Sequence, residues 1–144
     1  MGHVFISHVA ENAATARDLA GALEEAGYTT WFYERDSLPG PPYITQIIQA
    51  IAQSTVVIVL VSSAALGSWQ VDRDIFQAFT TQKAMVPVLI GITREELRQR
   101  HRDWVLMFGP AMWLSLPPDG ASAFIPRLVQ GLKSMGAEPT ASCQ

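Results

Sequence analysis

Polar side chains end two apolar runs of this sequence, and these residues are the first candidates for chemistry. Ser7 and His8 follow the run VFI, and Ser62 closes the run TVVIVLVS. Asp74 falls on a helix predicted downstream of the second run, at the inner margin of its apolar stripe. Hydroxyl, imidazole and carboxylate groups that share one crevice can hydrogen-bond a polar ligand. The elements that would bring them together therefore decide whether a site exists.

The run at 55–63 is the central element of the predicted fold. A strand exposed on one face would alternate apolar with polar residues, whereas a continuous apolar run is typical of a parallel sheet covered on both faces. Open sheets of this kind bind ligands beyond the carboxyl ends of their strands, where the strand order reverses. We therefore expect function at the end of this strand and in the helix that follows.

The remaining elements alternate between strand and helix. Strands are predicted at 3–7, 28–33, 55–63, 86–90 and 112–116. Residues at i, i+3, i+4 and i+7 indicate buried helix faces. Two stripes have this spacing: Ala16, Leu19, Ala20 and Leu23, and Ile44, Ile47, Ile48 and Ile51. A third buried stripe is predicted at Val71, Ile75, Ala78 and Phe79. Helix caps are expected at Asn12, Ser68 and Thr93, and a last helix at 124–135.

This alternation predicts an α/β fold, a flavodoxin-like open sheet of five parallel strands in the order 2-1-3-4-5 with helices on both faces. In that order the reversal falls between strands one and three. The pairs Ser7-His8 and Ser62-Ser63 then face each other across a crevice. The segment 34–42 contains three prolines and a glycine, so it is expected to form a stiff exposed loop close by.

Composition excludes several classes of function. The 144 residues fit one domain, expected at 1–135, followed by a short polar tail at 136–144 that is either frayed or the place where a longer chain was cut. A net charge of -3 argues against direct nucleic-acid binding. The single cysteine, the absence of a signal peptide and the absence of a 20-residue apolar run predict a cytoplasmic protein that does not enter a membrane. The three histidines have no metal-ligand spacing, so no metal site or cofactor is expected.

Five motifs in this order and spacing resemble the Toll/interleukin-1 receptor (TIR) domain, in its bacterial type. They are the opening VFISH, WFYERD followed by LPG, the IIQAI helix, the TVVIVLVS strand and SWQVDRDIFQA, and the match runs from about Val4 to Leu132. The resemblance implies self-assembly with other TIR domains. It also implies, for many members, cleavage of NAD+ at the nicotinamide-ribose bond as a hydrolase or cyclase in signalling or immune defence.

The resemblance places the catalytic carboxylate at Asp74. Catalytic members have a glutamate in the third helix, three residues after a small or apolar position and before an aliphatic one, which here are Val71 and Ile75. Alignment on Trp69 instead would put Arg73 at that position, but this breaks the apolar stripe. Loss of nicotinamide needs a carboxylate that holds the ribose hydroxyls and stabilises an oxocarbenium-like transition state. Aspartate is one methylene shorter than glutamate, so weak activity is expected unless the helix lies closer to the crevice.

Other residues carry two interpretations of similar weight. Ser7, His8 and Ser62 either contact the ribose or phosphates, or only bond the backbone. Arg35 and Asp36 match the family's charged pair at the loop entrance, and they either contact the nucleotide or pair with each other. Trp69 lies near the expected mouth of the pocket and could serve either substrate or surface.

Two functions follow from the sequence. The first is a self-assembling NAD+ glycohydrolase or cyclase with Asp74 as its catalytic residue; NAD+ is then a substrate and no cofactor is needed. The second is a non-catalytic module that signals through homotypic contacts of the loop Leu38, Pro39 and Gly40. A phosphoacceptor receiver domain is excluded, since its acidic positions hold serine and histidine here. A nucleoside deoxyribosyltransferase remains as a minor enzymatic alternative.

Overall fold

A five-stranded parallel sheet forms the centre of the protein. The computed structural model describes residues 3–111, 113–117, 120, 124–137 and 139. The strands are β1 (His3–Ser7), β2 (Thr30–Trp31), β3 (Ser54–Ser62), β4 (Ala84–Ile90) and β5 (Leu114–Ser115). They lie in the order β2-β1-β3-β4-β5, and every neighbouring pair is parallel. The predicted fold class and strand order are confirmed.

Helices cover both faces of this sheet. They are α1 (Ala13–Glu25), α2 (Tyr33–Asp36), α3 (Tyr43–Ala52), α4 (Trp69–Thr80), α5 (Arg94–Arg100), α6 (Arg102–Phe108) and α7 (Ile125–Ser134). No helix in the described part of the chain is both long enough and apolar enough to cross a bilayer.

Strand β3 divides the core into two layers, as its unbroken apolar run predicts. Val56, Ile58 and Leu60 pack on one face with the buried residues of α1 and α7. Val57 and Val59 point to the other face, among the buried residues of α3, α4, α5 and α6. Full burial of side chains on both faces stabilises the fold by about 1.5–3 kcal/mol for each large aliphatic side chain, before the entropy cost of ordering it.

Two strands are shorter than predicted. Strand β2 covers only Thr30–Trp31, and α2 begins at Tyr33 within the segment predicted to be strand and loop. Prolines start only at Pro39, so nothing prevents a helical turn before them. That turn is stabilised because the Asp36 carboxylate accepts a hydrogen bond from the backbone N–H of Phe32 at 2.9 Å. Strand β5 is limited to Leu114–Ser115, and Met112 of the predicted strand lies outside the described residues.

The buried stripe of α4 differs from the predicted one by a single position. Val71, Asp74, Ile75 and Ala78 are buried, and they occupy the i, i+3, i+4 and i+7 positions. Phe79, predicted to be buried, is 49% exposed. The helix is rotated so that a carboxylate, and not the phenyl ring, faces the sheet.

Helix α3 shows a similar correction. Ile47 and Ile51 are buried together with Ala50, whereas Ile44 and Ile48 are 46% and 42% exposed. The small side chain of Ala50 lets this side of the helix approach the sheet closely. The two exposed isoleucines lie four residues apart, so they share an outer face of the helix.

Two of the three predicted helix caps are present in the structure. Ser68 accepts a hydrogen bond from the backbone N–H of Val71, and Thr93 forms a reciprocal capping box with Glu96. Asn12 does not cap α1 through its side chain. The basic segment 94–102, whose sequence favours a solvated helix face, is divided between α5 and α6, and Leu97 on α5 is buried.

The carboxyl-terminal part of the chain packs back on the start of β2. Ala137 is 3% exposed, and its carbonyl accepts a hydrogen bond of 2.8 Å from the hydroxyl of Tyr28. Residues 138 and 140–144 of the predicted tail lie outside the described ranges.

Candidate active site

A hydrogen bond joins β1 to α4 inside the predicted crevice. The hydroxyl of Ser7, the last residue of β1, donates to Oδ2 of Asp74 at 2.8 Å. Ser7 is 1% exposed and Asp74 is 5% exposed. The strand order brings the end of β1 beside β3, and the rotation of α4 turns its carboxylate toward that end. The structure therefore brings together two of the predicted site residues.

Burial sets the ionisation of this carboxyl. Removal from water raises the pKa of Asp74 from 3.8 to about 7, while the hydrogen bond from Ser7 and the charge of Arg73 act in the opposite direction. At neutral pH the group is then divided about equally between acid and carboxylate. A strongly perturbed carboxyl in a crevice is a candidate functional group.

Asp74 lines a small cavity of about 130 Å³ at this edge of the sheet. Ligand pockets commonly enclose about 300–1,000 Å³, so the cavity in this state could hold one ring of a ligand but no dinucleotide. Phenyl and aliphatic groups form its floor, including Phe5 and Ile47. The polar residues in its wall are His8, Tyr33, Glu34, Tyr43, Gln70 and Asp74.

A side-chain hydrogen bond between His8 and Glu34 links two residues of the cavity wall. Nε2 of His8 lies 2.5 Å from Oε1 of Glu34, which joins the residue after β1 to α2. The imidazole is almost fully buried, at 2% side-chain exposure, and its edge packs on the ring of Phe32. Sequence reasoning missed Glu34. It could have been found as the first acidic residue after β2, since β2 and β1 end at the same edge of the sheet.

Arg73 lies beside Asp74 in an unusual setting. Its guanidinium carbon is 4.9 Å from the ring centroid of Tyr43 and 4.8 Å from that of Trp69. Its Nη2 is 3.8 Å from Oδ1 of Asp74. The three guanidinium nitrogens and Oδ1 are all buried, and none has a hydrogen-bond partner among the described residues. Sequence analysis considered Arg73 only as an alternative alignment and missed this contact.

Tyr43 also responds to the charges of this cluster. Burial, followed by the negative charge of Asp74, raises the pKa of its phenol, and the nearby charge of Arg73 opposes the rise. The phenol therefore stays neutral at physiological pH and presents a hydroxyl to the cavity that it lines.

Three predicted ligand residues are engaged elsewhere. Arg35 donates to Glu24 at 2.6 Å and to Asp36 at 2.7 Å, which matches the ion-pair alternative. Ser62 donates to Oδ1 of Asn12 at 2.7 Å, and its Oγ accepts from the backbone N–H of Ala65. Arg35, Asp36 and Ser62 stabilise the turns that follow β2 and β3, and they do not line the cavity. Trp69 is 65% exposed and lies on Arg73.

The predicted assembly loop is exposed and braced. Leu38 is 65% exposed, and its backbone N–H and carbonyl are both hydrogen-bonded by the amide of Gln46 on α3, at 2.7 and 2.9 Å. Gly40 has φ of 106°, a conformation that other residues rarely adopt. The loop Leu38, Pro39 and Gly40 is thus held in a fixed shape with an apolar side chain outward.

A larger concavity of about 640 Å³ lies at the opposite edge of the sheet, beside the start of β4. Of the described residues that line it, Lys83 alone carries a charge, and its ammonium already donates to the carbonyl of Ala52 at 2.9 Å. The rest of its wall is mainly apolar, including Phe79 and Met135. Its size exceeds that of the Asp74 cavity, but it offers no group for acid, base or nucleophilic chemistry.

Comparison with known families agrees with the fold. A family model described as the TIR domain matches residues 4–114. The chain belongs to the TIR domain family. The match includes β1, the assembly loop, α4 and therefore both Ser7 and Asp74. The resemblance inferred from the motifs is confirmed.

Two relatives are much longer than the segment that this TIR domain matches. It is 34% identical over 95 residues to the stimulator of interferon genes protein of Magallana gigas, and the match covers 62% of this chain and 23% of the relative. A metazoan TIR-STING receptor from C. gigas, solved in complex with 2',3'-cGAMP, superposes with a TM-score of 0.71 at 26% identity, over 96% of this chain and 40% of that one.

A second solved structure is nearly the same length as this TIR domain. The TIR domain of the Toll-related receptor TRR-2 from Hydra magnipapillata superposes with a TM-score of 0.68 at 19% identity, over 94% of this chain and 99% of that chain. At that identity the likeness establishes the fold alone. The chain spans less than half the length of the Magallana gigas protein and of the C. gigas receptor that it matches.

Proposed function

We propose that this TIR domain cleaves NAD+ at the nicotinamide-ribose bond, with Asp74 as the catalytic carboxylate. The observation that carries the proposal is the position of Asp74, which is buried, lines a cavity at the carboxyl edge of the sheet, and has one oxygen fixed by Ser7. The other oxygen, Oδ1, is engaged by no hydrogen bond among the described residues. It is the acceptor that a substrate hydroxyl would reach once the cavity opens.

Cleavage of the nicotinamide-ribose bond mainly requires a negative charge placed close to the ribose. Nicotinamide leaves as a neutral molecule from a cationic pyridinium, so no general acid is needed. The ribosyl group develops positive charge as the bond breaks, and a carboxylate held in a dry site stabilises that charge better than one in water. Water, or an atom of the same nucleotide, then completes hydrolysis or cyclisation. Ser7 restricts the carboxylate to one orientation, which reduces the rearrangement required in the transition state.

The cavity must open before a dinucleotide can enter. Its wall contains Tyr33 and Glu34 of α2, and Glu34 is bonded to His8. Helix α2 is a single turn that leads into the assembly loop. Contacts made by that loop in a self-assembled form would act on the same wall, which supports the proposal that assembly accompanies activity.

Release of nicotinamide by purified protein tests this function directly. NAD+ is incubated with the protein at a series of protein concentrations, and nicotinamide and ADP-ribose are separated by chromatography. Asp74→Asn is expected to abolish release, because it keeps the shape and removes the charge. Asp18→Asn on the exposed face of α1 is the control and is expected to behave as the parent. Equal release by the parent and Asp74→Asn would rule out the proposal, and transfer of base from deoxynucleosides would favour the deoxyribosyltransferase alternative.

A specific observation also supports the second function, a module that acts by homotypic contact. Leu38, Ile44 and Ile48 are large apolar side chains that are 42–65% exposed, and they belong to the assembly loop and the outer face of α3. Exposed apolar side chains grouped in this way are typical of interaction surfaces. Concentration-dependent self-association without nicotinamide release, in parent and Asp74→Asn alike, would favour this function over catalysis.

A further inference from the structure

Arg73 and Asp74 lie close together, but their side chains do not form a hydrogen bond with each other. Nη2 and Oδ1 are 3.8 Å apart, beyond the 2.7–3.2 Å of an N–H···O hydrogen bond but well within range of a strong Coulomb interaction. Both atoms are buried and neither has a hydrogen-bond partner among the described residues. A direct salt bridge would occupy Oδ1, whereas this arrangement acts on its charge and leaves its lone pairs unused.

Two aromatic rings explain why the guanidinium stays at this distance. Tyr43 on α3 and Trp69 at the start of α4 lie 4.9 and 4.8 Å from its carbon. Rings at this distance attract a cation and limit its rotation. An arginine side chain is long enough to reach solvent, yet the side chain of Arg73 is only 21% exposed. The rings therefore hold in place a charge that would otherwise be better hydrated outside.

We infer that Arg73 is a positioning residue that keeps Asp74 in its anionic form for the reaction, and that Tyr43 and Trp69 fix the guanidinium for this purpose. The inference rests on the proposed function for its role in catalysis. Its electrostatic part concerns Asp74 alone and can be measured without turnover.

The other groups around Asp74 do not supply this charge. Ser7 on β1 contributes a neutral hydroxyl, and Tyr43 on α3 a neutral phenol. Across the cavity, Glu34 of α2 is negative and is paired with His8 of the β1 end. Arg73 is the cation within 4 Å of Asp74 in the described part of the chain. Burial favours the acid form of Asp74, and Arg73 is positioned to oppose it.

The size of the expected effect follows from the ionisation of the carboxyl. An opposite charge at about 4–6 Å lowers a carboxyl pKa by about 1–3 units, and removing it should raise the pKa of Asp74 by a similar amount. Since that pKa is already about 7, the anionic fraction at pH 7 should fall about fivefold to 500-fold. The loss should be recovered at higher pH, because the carboxylate forms there without help.

A direct titration of Asp74 tests the inference. The protein is labelled with aspartate carrying ¹³C in its side-chain carboxyl, and the Asp74 signal is assigned by its loss in Asp74→Asn. Arg73→Met keeps an unbranched side chain between the two rings without the charge, so it is expected to fold and to raise the pKa of Asp74 by at least about one unit. Arg73→Lys keeps a positive charge, so the pKa of Asp74 should rise less than in Arg73→Met. Trp69→Ala removes one of the two rings, so it should raise the pKa of Asp74 by part of the amount seen in Arg73→Met. Thermal unfolding of each variant establishes that it is folded.

The matched control is Arg94 on α5, whose guanidinium also lies on a tryptophan, 4.7 Å from the ring of Trp113, but not at the Asp74 cavity. Arg94→Met should leave the titration of Asp74 unchanged. A pKa of Asp74 that stays the same or falls in folded Arg73→Met overturns the inference. If the parent releases no nicotinamide while the titration shifts as expected, the proposed function fails and the electrostatic role of Arg73 stands.

Discussion

Ser7 at the end of β1 and Asp74 on α4 are joined by a 2.8 Å hydrogen bond although 67 residues separate them in the chain. The bond lies at the carboxyl edge of the sheet, where β1 and β3 are neighbours and where a doubly wound fold binds its ligands. One hydroxyl thus connects the first strand to the helix that carries the candidate catalytic group. The predictions below depend on this contact and on the residues that surround it.

Loss of the Ser7 hydroxyl should affect activity more than a comparable loss elsewhere. Ser7→Ala removes a donor that favours the carboxylate, so the pKa of Asp74 should rise and nicotinamide release at pH 7 should fall several-fold. Stability should decrease by about 1–3 kcal/mol, because a buried acceptor loses its partner. Ser54→Ala is the control: Ser54 is equally buried and bonds the carbonyl of Ile51. It should lose similar stability but no activity, and equal activity losses in both variants would contradict the prediction.

A longer acidic side chain at position 74 should increase the rate of nicotinamide release if the aspartate carboxylate is too far from the ribose. Asp74→Glu extends the carboxylate by one methylene and matches the residue that the family resemblance places here. A correction of about 1 Å can be worth on the order of 100-fold in rate, so a rise of tenfold or more in nicotinamide release is expected. The added methylene should cost about 1–3 kcal/mol of stability in this packed position. A decrease in rate with the fold intact would mean that aspartate already has the correct reach.

Burial of Asp74 should make stability depend on pH in a defined window. The folded-state pKa of about 7 lies above the unfolded value of 3.8, so the folded protein retains a proton that the unfolded chain releases as pH rises. The contribution of Asp74 to stability is therefore complete below about pH 4, is lost between about pH 4 and 7, and is constant above that. Relative to Asp74→Asn, the parent should lose about 4 kcal/mol across this window. Denaturant unfolding at pH 4.5, 6 and 7.5 measures the difference, which should not grow beyond pH 8.

The rate of catalysis should change with pH in the opposite direction to stability. If the carboxylate is the active form, the rate of nicotinamide release per folded molecule should rise as pH increases through about 7 and then level off. A rate that is highest at pH 5 would assign a protonated acid to the reaction and contradict the mechanism proposed above.

The assembly loop should matter for self-association more than another exposed leucine does. Leu38→Glu places a charge on the loop and should shift association to at least tenfold higher protein concentration, as measured by light scattering after size-exclusion chromatography. Leu106→Glu is the matched control, since Leu106 is 71% exposed on α6. If both substitutions weaken association equally, the contact is not specific to the loop.

Most of the fold could be predicted because its main signals are local. The continuous run of β3 specifies burial on both faces, and the Thr93 capping box specifies where α5 begins. The buried stripe of α4 was more difficult to predict from the sequence. Asp74 and Phe79 could each complete a helical face with Val71 and Ile75, and hydrophobicity alone favours the phenylalanine. The structure buries the aspartate because Ser7, on a distant strand, offers it a hydrogen bond.

The site was predictable in its centre and less so at its margins. His8 and Asp74 line the cavity and Ser7 bonds Asp74, as expected from the end of β1 lying beside β3 and from the place of Asp74 on the helix that follows β3. The roles of Glu34 and Arg73 depend on pairings between side chains of different elements, which no sequence spacing encodes. For Arg35 and Ser62 the sequence left a ligand contact and a local bond equally open, and nearby acceptors engage both side chains in the structure.

The two outermost strands, β2 and β5, are each only two residues long. They leave few free backbone groups with which a foreign strand could pair, so the sheet cannot readily be extended from one molecule to the next. Filaments or rings of this domain must then be held by side chains of helices and loops. A single charged substitution can disrupt contacts of this kind, whereas stacked cross-β strands would tolerate it. The borders of the sheet therefore offer little template for amyloid-like growth.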